Sequence, residues 1–190
     1  MAIMNTDALN ALNLPSMRQL GIIVKSIDAS LPFYSKVLNI NPWYKAKVVE
    51  TEIFYKDKLI DLELDIVIGY SGSLQFELIE IVKETEEHIY SDLVAKQGEG
   101  LHHIGFTVSN IEKRIESLEK AGFNKLQYGT LKTQGMALTQ FAYFDTIEQC
   151  GYITELIQVT LLGINMGMSH FMVKLGKLLG DVDLVSIPQS

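Results

Sequence analysis

Gln19, Glu77, His103 and Glu155 are residues that can bind a divalent metal, and their spacings are not independent. His103 lies in Leu101-His102-His103-Ile104-Gly105-Phe106-Thr107-Val108. An altered copy, Arg18-Gln19-Leu20-Gly21-Ile22-Ile23-Val24, stands 84 positions earlier (103 against 19). Gly105 falls on Gly21, Val108 on Val24, Ile111 on Ile27, and Gln19 takes the place of His103. Phe76-Glu77-Leu78-Ile79 matches Thr154-Glu155-Leu156-Ile157 at an offset of 78 (155 against 77). Two such close offsets describe one ancestral unit, duplicated and slightly shortened. Taken singly, a histidine on an apolar strand is more often a hydrogen-bonded core residue than a ligand. Glu77 or Glu155 alone could simply face solvent at a sheet edge. Duplication changes the weighing, because two units related by an approximate twofold bring equivalent positions together at the axis. One imidazole, one amide oxygen and two carboxylates then converge. Buried unpaired carboxylates are costly, and a divalent cation offsets that cost. This mostly oxygen set suits a roughly octahedral Zn, Co, Ni, Mn or Fe site with two positions left for water or substrate.

The elements that must position these residues are readable in outline. After an arm of about 1–15, a short apolar strand at about 17–24 leads into a helix. Ser26 is its N-cap, and Leu31, Tyr34, Val37 and Leu38 form its face. Pro32 sits early in that helix, where a missing N–H is best tolerated, and Asn39 to Pro42 ends it. The region 43–82 is extended. Asp61-Leu62-Glu63-Leu64-Asp65 alternates strictly, with three carboxylates on one face and two leucines on the other. Gly69 to Ser73 is expected to turn the chain into the strand that carries Gln75, Glu77 and Ile79 on one face. A polar linker at 83–100 holds a short helix. The plan then repeats, with a strand at 102–108 and a helix with Ile111, Ile115 and Leu118 inward, stopped at Ala121-Gly122. Extended segments follow near 125–128, 136–144 and 151–159.

Each unit thus reads β-α-β-β-β. The fold class is α+β: two tandem modules, about 17–82 and 101–160, forming a cupped mixed sheet within one domain spanning 1–190. The tail, 161–190, has no counterpart in the first unit. Met168, Phe171, Met172, Leu175, Leu178 and Leu179 make one helical stripe and His170, Lys174 and Lys177 the other, with Gly180 as the stop. That helix is expected to pack its apolar stripe against protein, within the chain or across a homodimer.

Composition narrows the partners. At 190 residues the chain can bury most of its apolar surface. A formal charge of −7, with Arg18 and Arg114 the only arginines, excludes a basic stripe and argues against nucleic acid. Cys150 is the single cysteine, so no internal disulfide framework exists and a reducing cytoplasm is expected. Neither a signal peptide nor an uninterrupted apolar run of about 18 residues is present, so no membrane span is expected.

With these residues in place, the sequence resembles the vicinal oxygen chelate superfamily over about 17–160. That superfamily includes glyoxalase I, methylmalonyl-CoA epimerase, extradiol dioxygenases and antibiotic-resistance proteins. The resemblance implies paired βαβββ modules in a glyoxalase-like fold, whose first and last strands carry metal ligands. Those places are held here by Gln19, Glu77, His103 and Glu155. His102-His103-Ile104-Gly105, the linker with Ile89, Leu93 and Lys96, and Tyr143-Phe144-Asp145-Thr146 look most like methylmalonyl-CoA epimerase. Gln19 departs from it, standing where the epimerases usually carry His, and glutamine there is familiar from some glyoxalase I enzymes. The resemblance implies an epimerase or isomerase that moves a proton α to a thioester or carbonyl of an acyl-CoA. Glu155 is its metal-binding base and Asp65 the second carboxylate, with Glu63 in reserve. A solvated strand face is the alternative for Asp61, Glu63 and Asp65. The competing functions are a glyoxalase I-type lactoylglutathione lyase acting on a thiol adduct, and a binding protein without turnover.

Overall fold

The computed structural model describes residue 10 and residues 13–188, so most of the N-terminal arm lies outside the described residues. The first module opens with β1 (Gln19–Ile23) and α1 (Ile27–Leu38). Ser26 caps α1 by accepting from the Ala29 N–H and the helix ends at Asn39, as the sequence led us to expect, with Asn39 in the left-handed region. Then come β2 (Trp43–Ala46), β3 (Val48–Tyr55), β4 (Lys58–Leu59), β5 (Leu62–Ser71) and β6 (Leu74–Glu84). After the linker helix α2 (Ser91–Gln97), the second module runs through β7 (Gly100–Thr107), α3 (Ile111–Lys120), β8 (Lys125–Thr133), β9 (Ala137–Phe144), α4 (Ile147–Cys150) and β10 (Ile153–Leu161). The tail supplies β11 (Ile164–Asn165), α5 (His170–Leu179) and β12 (Val182–Val185).

The strands form one mixed sheet in the order β12-β2-β5-β6-β1-β7-β10-β9-β8-β3-β4, with β11 on β10. The modules join through the antiparallel β1–β7 pair. β2 and β3 are separated in sequence by Lys47 alone, yet β2 pairs with β5 of the first module and β3 with β8 of the second. One stretch of chain therefore serves both margins of the sheet, which must curl until those margins approach. Asp181 fastens the seam. Its carbonyl accepts from the Lys47 N–H at 2.8 Å, and the Gln134 N–H donates to the Lys47 carbonyl at 2.9 Å. The Asp181 carboxylate accepts from the Thr133 hydroxyl and from the Ala137 N–H.

Three apolar clusters follow from this curl. Outside, α1 packs Leu31 against Trp43, Val67 and Leu78, and α3 packs Ile111 and Leu118 against Phe144 and Leu156. Full burial of a side chain such as Leu31 is worth about 1.5–3 kcal/mol. Inside, residues of both modules and of the linker meet: Ile23, Ile53, Leu62, Ile79, Ile89, Tyr90, Phe141, Tyr143 and Ile153.

Several details differ from the sequence reading. The chain turns only at Gly72-Ser73, so Tyr70 belongs to β5. The tail is more than a helix, because β12 pairs with β2 along the sheet margin. Phe171, Leu178 and Leu179 of the expected stripe are exposed, while His170, assigned to the other face, packs inward with its ring stacked on Tyr70. Hydropathy alone missed this, because an aromatic stack orients that face of the helix. Among the described residues no helix is long and apolar enough to cross a membrane.

Candidate metal centre

Strand register builds the site. Gly21 in β1 lies between Glu77 of β6 on one side and His103 of β7 on the other. Gly105 in β7 lies between Gln19 of β1 and Glu155 of β10. Two rows thus form, each a glycine flanked by two polar residues, and the duplication relates one row to the other. The glycines are the floor of the site. A Cβ on Gly21 would come within 1.9 Å of the His103 ring, and one on Gly105 within 2.5 Å of Gln19 Oε1. An absent side chain in each strand lets the neighbouring polar group lean across. Gly21→Ala is therefore expected to push the His103 ring aside and destabilise the fold by about 1–3 kcal/mol, the usual range for overpacking. Thermal melting of the purified variant checks this, and an unchanged midpoint would contradict it.

Glu77, His103 and Glu155 each offer one ligand atom, and these atoms lie within 4.8 Å of one another. His103 Nε2 is 3.1 Å from Glu155 Oε2 and 3.4 Å from Glu77 Oε2. His103, Glu155 and Gln19 are buried, and Glu77 keeps slight access. Among the described residues, five buried side-chain atoms lack a hydrogen-bond partner, and three of them are Gln19 Oε1, His103 Nε2 and Glu155 Oε2. Native interiors seldom leave such atoms orphaned, and here His103 Nε2 and Glu155 Oε2 have only their ion pairing to each other and to Glu77. A divalent cation fits this donor set, and two carboxylates would balance its charge.

Burial alone would lower the pKa of His103, but Glu155 and then Glu77 outweigh it and raise it to about 9. Burial likewise raises that of Glu77, and His103 and the Gln19 amide pull it back only in part. Without metal the cluster therefore favours a proton at His103, and a cation must displace it. Metal affinity should climb about tenfold per pH unit up to about pH 9 and then level off. The metal-free fold should behave oppositely. Its ion-pair stabilisation is complete below 6.5, the unfolded-state value, and is lost as pH rises through about 9. Calorimetric zinc titrations and melting of chelator-treated protein across that window read both trends. A pH-independent affinity would show that no proton is displaced.

A β-bulge aims the imidazole. Ile22 pairs with Leu101 and Gly21 with His103, so His102 is an extra residue and also turns inward. The Ile89 carbonyl can only accept, so His102 Nε2–H donates to it at 3.1 Å. Burial, and then the nearby His103 charge, lowers the His102 pKa to about 3, so the ring is neutral. Its Nδ1 therefore accepts from His103 Nδ1–H, also at 3.1 Å. His103 is thereby held with Nε2 toward the carboxylates, as outer-sphere partners commonly hold metal-binding histidines.

All four expected ligands are brought together, but Asp65 is not. It pairs with Glu80 in the β5–β6 ladder, one strand face away from the Ile68–Glu77 pair. It is ion-paired with Lys45 at 2.6 Å and lies on the helix-covered side with Val67. Its assignment as second catalytic carboxylate is corrected accordingly, and Glu63 is exposed. The same alternation explains why: Leu62 and Leu64 fill the interior, so the carboxylates between them face out. Sequence reasoning left four interior residues unused. His102 stood in the His doublet, Gln75 shared a face with Glu77, Tyr70 was placed in a turn, and Tyr143 opened the Tyr143-Phe144-Asp145-Thr146 motif without being given a role. The Tyr143 ring lies 5.0 Å from that of His103, and burial holds its phenol well above the usual range.

This fold and cluster agree with the comparisons. The chain belongs to the Glyoxalase/Bleomycin resistance protein/Dioxygenase superfamily, the vicinal oxygen chelate proteins, whose pattern matches residues 18–143. It is 24% identical over 140 residues to the uncharacterized protein YqjC of Bacillus subtilis (strain 168), covering 73% of this chain and 89% of that one. The structure of hypothetical protein BH1468 from Bacillus halodurans C-125 matches with 26% identity and a TM-score of 0.51, over 75% of this chain and 92% of that chain. A variant of Streptomyces coelicolor methylmalonyl-CoA epimerase in complex with 2-nitronate-propionyl-CoA matches with a TM-score of 0.53 and 20% identity, over 81% of this chain and 99% of that chain. At such identity the likeness shows the fold alone.

Proposed function

We propose that the protein is a divalent-metal-dependent epimerase or isomerase that moves a proton α to the carbonyl of a methylmalonyl-CoA-like thioester. The observation that carries this reading is the convergence of Glu77, His103 and Glu155 beside the unpartnered amide oxygen of Gln19. A cation held by these four residues would polarise a substrate carbonyl and favour loss of the α-proton. Glu155 takes that proton. Glu77, its mate in the other module, is pushed by burial toward its protonated form and returns its own proton to the α-carbon, the role that Asp65, on the other face of the sheet, cannot fill. Tyr143 remains protonated beside His103 and can donate a hydrogen bond to charge building on oxygen. The apolar lining of Ile23, Ile79, Phe141 and Ile153 keeps water away and strengthens these interactions.

Gln19 favours a second reading, because the amide ligand matches the glyoxalase I-type pattern better than the epimerase one. Incubation of metal-loaded protein in D₂O with methylmalonyl-CoA, and separately with a hemithioacetal, distinguishes the two by mass spectrometry. Deuterium entry into the acyl-CoA alone supports the epimerase, and product from the hemithioacetal alone supports the lyase. Exchange no faster than with free metal ion in both arms, together with tight binding of another small molecule, would replace both with a binding protein.

A further inference from the structure

A chain of hydrogen bonds runs from the C-terminal tail to the candidate ligand Gln19, and its direction is fixed at the tail end. The Tyr70 hydroxyl lies 3.2 Å from the Met168 carbonyl. A carbonyl can only accept, so the single hydroxyl hydrogen is committed there, and the Tyr70 oxygen must accept from its other neighbour. That neighbour is Gln75, which therefore turns its amide N–H₂ to Tyr70. Its Oε1 is left facing Gln19, whose Nε2 donates to it at 2.9 Å. Gln19 in turn is left with a bare Oε1, buried and without a donor, over Gly105 and beside the strand of Glu155. Gln19, Gln75 and Tyr70 are all nine-tenths buried or more, so water cannot substitute for a missing link. His170 holds the tail end in place, with its ring stacked on Tyr70 at 4.9 Å and its Nε2 3.3 Å from the Tyr44 hydroxyl.

We propose that Tyr70 and Gln75 are positioning residues through which the tail carbonyl of Met168 orients the Gln19 amide, so that oxygen rather than nitrogen is offered to the metal. This rests on the metal-centre reading above. An amide offers one ligand atom and one repelling N–H₂ group at nearly equal reach. A cation selects the oxygen only by turning the amide, whereas an outer partner fixes that orientation before the metal arrives. The neutral ligand Gln19 needs such a choice, whereas a carboxylate at the same place would not.

The test uses the full chain and zinc ion alone as the probe. Tyr70→Phe removes the hydroxyl that sets the polarity and keeps the ring that stacks on His170. Its zinc affinity should fall about 10–100-fold, the usual effect of losing an outer-sphere partner. In a Gln19→Glu background the same substitution should not lower affinity, because a carboxylate presents oxygen whichever way it turns and Gln75, released from Tyr70, can reverse to donate to it. An unchanged affinity for Tyr70→Phe overturns the proposal, and so does an equal loss in both backgrounds, which would mark a structural role. Should the Gln19→Glu variants not fold, NMR of the metal-free protein decides. The Gln19 side-chain N–H₂ should exchange slowly with solvent in the wild type and at least about tenfold faster in Tyr70→Phe, as lost hydrogen bonding allows. Equal exchange overturns the proposal. Wild-type protein that binds no zinc refutes the metal centre instead, and the amide measurement still judges the relay.

Discussion

His103→Ala is expected to yield a folded protein that no longer retains a divalent metal. The imidazole is wholly buried, and its Nε2 lies within 3.4 Å of both carboxylates. Removing it deletes the only nitrogen ligand of the set and leaves Glu77 facing Glu155 without a positive partner. The loss of affinity should exceed the roughly 10–100-fold that changes in outer-sphere partners produce. The metal-free variant should also favour protonation of one of the two carboxylates, since like charges in a buried site cannot both persist without compensation. Elemental analysis after purification without chelator in metal-replete medium measures the outcome. Near-stoichiometric metal in the wild type and little in His103→Ala is the expected pair of values. Equal and negligible content in both would mean that the four residues do not hold a metal.

Glu155→Gln should slow α-proton exchange by about 10²–10⁴-fold, the range for loss of a positioned general base. Glutamine matches glutamate in shape and can still place an oxygen toward the metal. Folding should therefore survive, and part of the metal should be retained. Glu77→Gln is the informative comparison, because the duplication makes Glu77 the mate of Glu155 across the two glycines. Deuterium entry normalised to bound metal separates the two effects. If Glu77→Gln abolishes exchange while Glu155→Gln leaves it intact, the roles of the two carboxylates are interchanged. If both variants exchange at the wild-type rate, neither carboxylate is the base.

The positions of the four candidate ligands were legible because duplication places equivalent residues in equivalent strands. Gln19 against His103 and Glu77 against Glu155 needed only the offsets, and Gly21 against Gly105 was visible in the same alignment. What the glycines do was not visible, since a Cβ clash with a neighbouring ring depends on lateral strand order. His102 was hidden for a related reason. Strict alternation turns it away from His103, and only the bulge turns both inward. Asp65 was misplaced although its surroundings held the answer: the leucines of the alternating run are the core face, so its carboxylates point to the other side. The exchange of β3 onto β8 left no local trace either, because pairing between distant strands is decided by the closing of the sheet and not by propensity.

The continuity of β2 and β3 through Lys47 gives the two modules a common fate. Each lends the other a margin: β3 of the first is hydrogen-bonded along β8 of the second, while β1 and β7 share the centre of the sheet. A protease that nicked the exposed linker at Glu86-Glu87 would cut the covalent path between the halves without freeing either. Two fragments of one sheet, still clasped at the middle and at the seam, would migrate as a single particle until a denaturant parted them. The duplicated unit is thus a repeat in descent but no longer a separable piece in physical terms.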